Sequence, residues 1–225
     1  MVRIFITCIL IFASSIVFAQ NKNLTDVSLE AFMSETQYSS DSDNQIQMIW
    51  WLPQIFWEIS FSQDPNSSEE EMSAIREMFE GYELFAIIDA NIGYFGGLTY
   101  NSLEDILPTF SISLNGEPFK IVPNSSISAD LSNFLTIMKP MMGNMLGPMG
   151  ENIHFVFMEA PSSAKMKSID PYKNLLLTLE MGSFKQDVEL PLSSLLIEKK
   201  CSVDGKLFSG KWNFCPIHGK ALLEQ

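Results

Sequence analysis

Apolar residues along this chain come in short, interrupted runs, and few of them hold a helical period for long. The densest run, "IQMIWWLPQIFWEISF" (46–61), packs three of the four tryptophans with Phe56 and Phe61 into sixteen residues. Pro53 divides it, so Gln47 to Leu52 reads as a buried strand and the residues from Pro53 onward as a helix with proline in its first turn. Trp50 and Trp51 would then point to opposite faces, one in the core and the other exposed or covered by a helix. The clearest helix is "NSSEEEMSAIREMFEGY" (66–82). Ser68 and Glu71 have the spacing of a capping box, and three glutamates suit the positive end of the helix dipole. Met72, Ile75, Phe79 and Tyr82 share one face, with Gly81 near the stop.

"YELFAIIDANIGYFGGLTY" (82–100) predicts strands broken at Asp89 to Gly93 and again at Gly96-Gly97. "TFSISLNGEPFKIV" (109–122) alternates on both sides of Asn115-Gly116, the pair that favours a type I′ hairpin turn. A second helix is expected to open near Ser128 and run through Leu131, Phe134, Leu135 and Met138 until Pro140 bends or ends it. Strands follow at Asn152 to Glu159, Leu175 to Met181 and Phe184 to Leu190, the last two joined at Gly182-Ser183. Residues 20–45 are polar and rich in Ser and Asp, and predict a flexible lead-in with a short helix near Leu29 to Met33. Strands dominate without regular strand–helix alternation. The expected class is therefore α+β: a mainly antiparallel sheet with two or three helices over 46–197, plus a small C-terminal hairpin over 198–225.

The N-terminus changes the picture of where this fold resides. Arg3 precedes an apolar stretch from Ile4 to Ala19 that ends Val17-Phe18-Ala19, the layout of a secretory signal peptide cut after Ala19. Its length falls short of the about 20 apolar residues a spanning helix needs, and Cys8 lies inside the run, not at the lipoprotein position. The expectation is a periplasmic or secreted protein with no membrane span after cleavage. Charge is unevenly spread. Residues 198–225 hold five lysines against Glu198, Asp204 and Glu224, a net +2, whereas 20–197 carry −16. So acidic a body repels phosphates and argues against a nucleic-acid partner. With 46% hydrophobic residues, global disorder is excluded.

Candidate chemistry concentrates in "CSVDGKLFSGKWNFCPIHGKAL" (201–222), which repeats Cys-x-x-(Asp or His)-Gly-Lys. Two ligands three residues apart in each of two short turns can point at one centre, and a glycine after the second relieves the tight bend. Cys201 and Asp204 form one candidate pair, Cys215 and His218 the other, and a hairpin turning at Ser209-Gly210 would bring the pairs together. The segment resembles a zinc ribbon over about the last 25 residues, with Asp204 where that family has cysteine or histidine. The resemblance implies a structural zinc ion with no open position for catalysis. The alternative is a Cys201–Cys215 disulfide, since an exported chain meets an oxidising compartment.

Other groups carry blander readings. Met138, Met141, Met142, Met145 and Met149 offer soft thioethers suited to copper, but their spacing continues the apolar stripe of the second helix. Trp50, Trp51, Phe56, Trp57 and Phe61 read as core before they read as a ligand platform. His154 stands alone in a strand, and no nucleophile elbow, metalloprotease motif or phosphate loop is present. The stretches "IQMIWWLPQIFWEISF", "MGENIHF" and the Cys-Pro-x-His-Gly end resemble uncharacterised exported bacterial proteins. The expected function is a non-enzymatic binding or structural module with an unidentified protein or small-molecule partner. The alternatives are a metal-handling protein using the methionine segment or the tail, and a hydrolase whose carboxylates are unidentified.

Overall fold

The structure, a computed structural model, describes residues 20–40, 42, 44–160 and 168–225, and all of their side chains but that of Met145. The expected signal peptide therefore lies outside the described residues. Those residues fall into two compact units, Asn21–Leu196 and Gln20 with Ile197–Gln225.

The first unit opens with α1 (Leu29–Thr36) and β1 (Gln37–Ser39), followed by β2 (Gln45–Leu52), α2 (Gln54–Ser62) and α3 (Glu69–Met78). Residues 20–40 of the expected flexible lead-in instead carry α1 and β1: β1 pairs with β2, and Val27 and Phe32 are buried in the core. Its polar residues outnumber its apolar ones, but the apolar ones share a side that the core covers. Next come β3 (Glu83–Ile92), β4 (Leu98–Tyr100), α4 (Leu103–Ile106), β5 (Phe110–Leu114), β6 (Glu117–Pro118) and β7 (Lys120–Val122). The unit ends with α5 (Ala129–Leu146), α6 (Pro148–Glu151), β8 (His154–Glu159), β9 (Leu176–Met181) and β10 (Phe184–Glu189). The fold is α+β, and every strand pairing in it is antiparallel.

One sheet runs β1-β2-β3-β8-β7, with β4 also on β3, and the other runs β10-β9-β5-β6. Gln47 links them, its Nε2 donating to the Met181 carbonyl at 2.9 Å. Asp89 does not break β3 as the pattern suggested. Its carboxylate accepts from Gln45 Nε2 at 2.7 Å, and this partner lets a buried acid stay in the strand. Asn115 and Gly116 both adopt positive φ, as a type I′ turn requires. The hairpin then splits, because β7 leaves β5 to pair with β8 in the first sheet.

Helices number six among the described residues: α1 matches the short helix expected near Leu29 to Met33, whereas α4 and α6, of four residues each, are too short for a periodic pattern to announce. Pro140 does not end α5, which continues six residues past it to Leu146. No helix among the described residues is long and apolar enough to cross a membrane.

Both Trp50 and Trp51 are fully buried, because β2 is covered on its two faces. Trp50 meets Phe56 edge-on at 5.8 Å, and Trp57 stacks on Phe79 at 5.6 Å while meeting Phe134 of α5 edge-on at 5.0 Å. These rings are core, not a ligand platform. At the start of α3, Ser68 Oγ accepts from Glu71 N–H and the Glu71 carboxylate accepts from Ser68 N–H, the reciprocal capping box. Ser68→Ala should lower the unfolding free energy by about 1 kcal/mol in chemical denaturation.

Candidate metal centre

The C-terminal unit is built from two turns of the same design. Its sheet has β11 (Lys199–Cys201) between β12 (Leu207–Phe208) and β13 (Leu222–Leu223). In the first turn Cys201 N–H donates to the Lys206 carbonyl at 2.8 Å and Gly205 N–H to the Cys201 carbonyl at 2.9 Å. In the second, Cys215 N–H donates to Lys220 and Gly219 N–H to Cys215, both at 2.8 Å. Gly205 and Gly219 take φ of +74° and +63°, the left-handed conformation that glycine adopts without cost. Each turn closes its own hairpin: β12 returns beside β11 past Lys206, and Phe214 bridges Ala221 across the second. Each ligand pair thus sits in its own turn, as the spacing predicted, and between them the chain turns at Ser209-Gly210, where Trp212 N–H donates to the Ser209 carbonyl at 3.1 Å.

The same turns aim backbone donors at the sulfurs. Val203 N–H lies 3.4 Å from Cys201 Sγ, and His218 N–H lies 3.4 Å from Cys215 Sγ, with Asp204 and Ile217 N–H also directed at their respective cysteines. Such N–H···S bonds favour thiolate over thiol. His218 Nδ1 sits 3.5 Å from Cys201 Sγ and 3.5 Å from Cys215 Sγ. The three ligand atoms lie within 4.8 Å of one another and can hold a metal ion. Both cysteines are buried and free, so the alternative disulfide is not formed.

Asp204, the fourth predicted ligand, is outside that group of three. Its carboxylate hydrogen-bonds the Cys201 thiol and accepts from Lys206 N–H at 3.1 Å. The Lys206 N–H, ahead of the opposing effect of burial and with the help of Cys201 and His218, holds its pKa below the ordinary value. The two sulfurs are shifted in opposite directions. For Cys215, burial opposes ionisation, but the His218 and Ile217 N–H groups, the His218 ring and the Cys201 thiol together bring its pKa down to about 7. The Cys201 thiol is pushed up: the Asp204 N–H favours its thiolate, but burial and its hydrogen bonds to Cys215 and the Asp204 carboxylate outweigh this. A cation bound between the sulfurs would favour the thiolate at both, with release of their protons.

The remaining candidates disperse. Met138 and Met142 are buried in the core and Met149 packs against it, while Met141 is exposed. Met138, Met142 and Met149 thus serve packing. His154 Nε2 contacts the Asn101 carbonyl at 3.1 Å and joins no metal group among the described residues. No family model, curated protein or solved structure matches the chain.

One feature escaped the sequence reading. Glu83, the first residue of β3, is almost wholly buried beside a cleft of about 390 Å³ that Glu58 and Asp170 also line. Its carboxylate accepts from Trp51 Nε1 at 2.9 Å and from Ile169 N–H at 2.7 Å. The other two acids are engaged by cations, Glu58 by Arg76 at 3.4 Å and Asp170 by Lys173 at 2.8 Å. Burial dominates at Glu83 and raises its pKa to about 7 against those two hydrogen bonds. The signal was the continuous apolar strand that follows it, which implies burial on both faces.

An unfolded glutamate releases its proton near 4.5, whereas folded Glu83 keeps it up to about 7. Its contribution therefore favours the fold below pH 4.5 and is lost as pH rises through about 7. Denaturation of Glu83→Gln and the parent across this range should show the difference shift in the variant's favour by up to about 3 kcal/mol, then level off.

Proposed function

We propose that the chain is an exported, non-enzymatic binding module whose C-terminal unit is held together by a structural zinc ion. The reading of export rests on the apolar leader over Ile4 to Ala19 and its small-residue exit. The zinc reading is carried by one observation, the equal 3.5 Å separations of His218 Nδ1 from the two sulfurs. A tetrahedral zinc about 2.3 Å from sulfur and about 2.0–2.1 Å from nitrogen requires a sulfur–nitrogen edge of about 3.5–3.6 Å. The protein already holds that edge twice.

Cys201, Cys215 and His218 would supply three ligands, and Asp204, at the place in the first turn that His218 occupies in the second, the fourth. When bound, the ion supplies a fixed cross-link between the two turns. The chain's own groups do the rest: the N–H groups of Val203, Asp204, Ile217 and His218 steady the sulfurs, and Gly205 and Gly219 let each turn bend back. Four protein ligands leave no place for a reacting water, so the site serves architecture. The module's body supplies the binding surface for a partner.

Elemental analysis of the purified protein should find one zinc per chain, and X-ray absorption should place two sulfurs at about 2.3 Å with nitrogen and oxygen completing the shell. His218→Ala and Cys215→Ser should each lose stoichiometric zinc, while Met138→Leu should keep it. Full retention of zinc by both ligand variants would put the metal elsewhere and refute the site.

A further inference from the structure

Exposed apolar bulk is concentrated in the C-terminal unit. Of twelve large apolar side chains that stand exposed among the described residues, six belong to it: Val203, Leu207, Trp212, Phe214, Ile217 and Leu223. Three of them cluster at the turns themselves. Val203 and Ile217 hold the same position in the two turns, each just before the second ligand residue, and are 58% and 61% exposed. Phe214, directly before Cys215, is 64% exposed. A buried counterpart for them is missing from their own unit, whose core is Cys201, Cys215 and Leu222 with Phe208 against it.

Charge follows the same division. Each turn ends in Gly-Lys, Lys206 and Lys220, and Lys200 adds a third exposed cation; Lys206 lies 3.9 Å from the Asp204 carboxylate, and no ion pair among the described residues engages the other two. The unit carries +2 in a chain whose other residues from 20 onward carry −16. An anionic surface therefore attracts this unit and repels the other.

We propose that the C-terminal unit docks on an anionic lipid bilayer, with Val203, Phe214 and Ile217 entering the interface and the lysines meeting the headgroups. The inference rests on the reading of the two turns as metal-held, because only fixed turns keep the tips together. Two features favour a bilayer over a protein partner. The apolar side chains project from turns, and a bilayer deforms around projections where a protein would need matching pockets. Lysine beside bulky apolar residues is also the composition of interfacial segments, where the aliphatic stem lies in the apolar zone and the charge reaches water. A nucleic acid would share the charge but would leave Val203 and Ile217 in water.

The test is sedimentation of the zinc-loaded protein, from Gln20 onward so that the apolar leader contributes nothing, with vesicles. Vesicles of phosphatidylcholine with about a quarter phosphatidylglycerol should bind it about ten-fold or more tightly than phosphatidylcholine alone. The triple variant Val203→Ser, Phe214→Ser, Ile217→Ser should lose about ten-fold or more in binding to the mixed vesicles while keeping its zinc. Lys200→Gln with Lys220→Gln, which leaves the tips intact, should also lose about ten-fold or more. Tyr94→Ser with Phe95→Ser, at the other exposed aromatic pair, should bind as the parent does. The proposal is overturned if the zinc-loaded parent binds neither vesicle, which would leave the surface to a protein partner, or if the triple variant binds as well as the parent. It is equally overturned if binding is lost with Tyr94 and Phe95 instead. A parent that docks through these tips without zinc would contradict the metal reading and leave the docking standing.

Discussion

The C-terminal unit has almost nothing to hold it together except the convergence of Cys201, Cys215 and His218. Its buried core is Cys201, Cys215 and Leu222, and its strands are two or three residues long. Below about 40 residues a hydrophobic core is ordinarily too small to offset chain entropy, and a disulfide, a metal or an oligomer makes up the difference. The two cysteines are free, so no covalent staple does this. On the proposed reading a zinc ion does, and the unit's shape follows from it: two turns of matching hydrogen bonds, each ending in a positive-φ glycine, wrapped about one point.

The body is held by different means. A single core cluster runs from Val27 to Leu195 and takes in both sheets and the inner faces of the helices. Within it, burial on both faces of β2 and β3 sets the terms. It requires Trp50 and Trp51 to be covered alike, ties Trp51 to Glu83, and keeps Glu83 protonated into the neutral range. The cleft beside Glu83 thus holds one buried carboxyl whose oxygens both accept hydrogen bonds and two carboxylates already paired with cations. That arrangement accounts for the acids through the fold and leaves no free acid–base pair among them.

Local rules were legible in the sequence, and long-range coverage was not. The capping box at Ser68 and Glu71, the Asn115-Gly116 turn and the Cys-x-x-(Asp or His)-Gly repeat each depend on residues within a few positions, and each appears at its place. The lead-in was misread because its few apolar residues look isolated until the core covers Val27 and Phe32. Asp89 looked like a strand breaker because its partner, Gln45, comes from the neighbouring strand. The repeat named four ligand candidates by spacing, but spacing could not say that Asp204 would lie against the Cys201 thiol, outside the group the other three form.

The central claim is that metal, and not packing, holds the C-terminal unit. Amide hydrogen exchange of the reduced protein, with zinc and after chelation, tests it most directly. With zinc, the amides of Cys201, Gly205, Cys215 and Gly219, which donate within the two turns, should be protected. After chelation their protection should vanish, while amides of β2 and β3 in the body keep theirs. Unchanged protection in the two turns without metal would contradict the account.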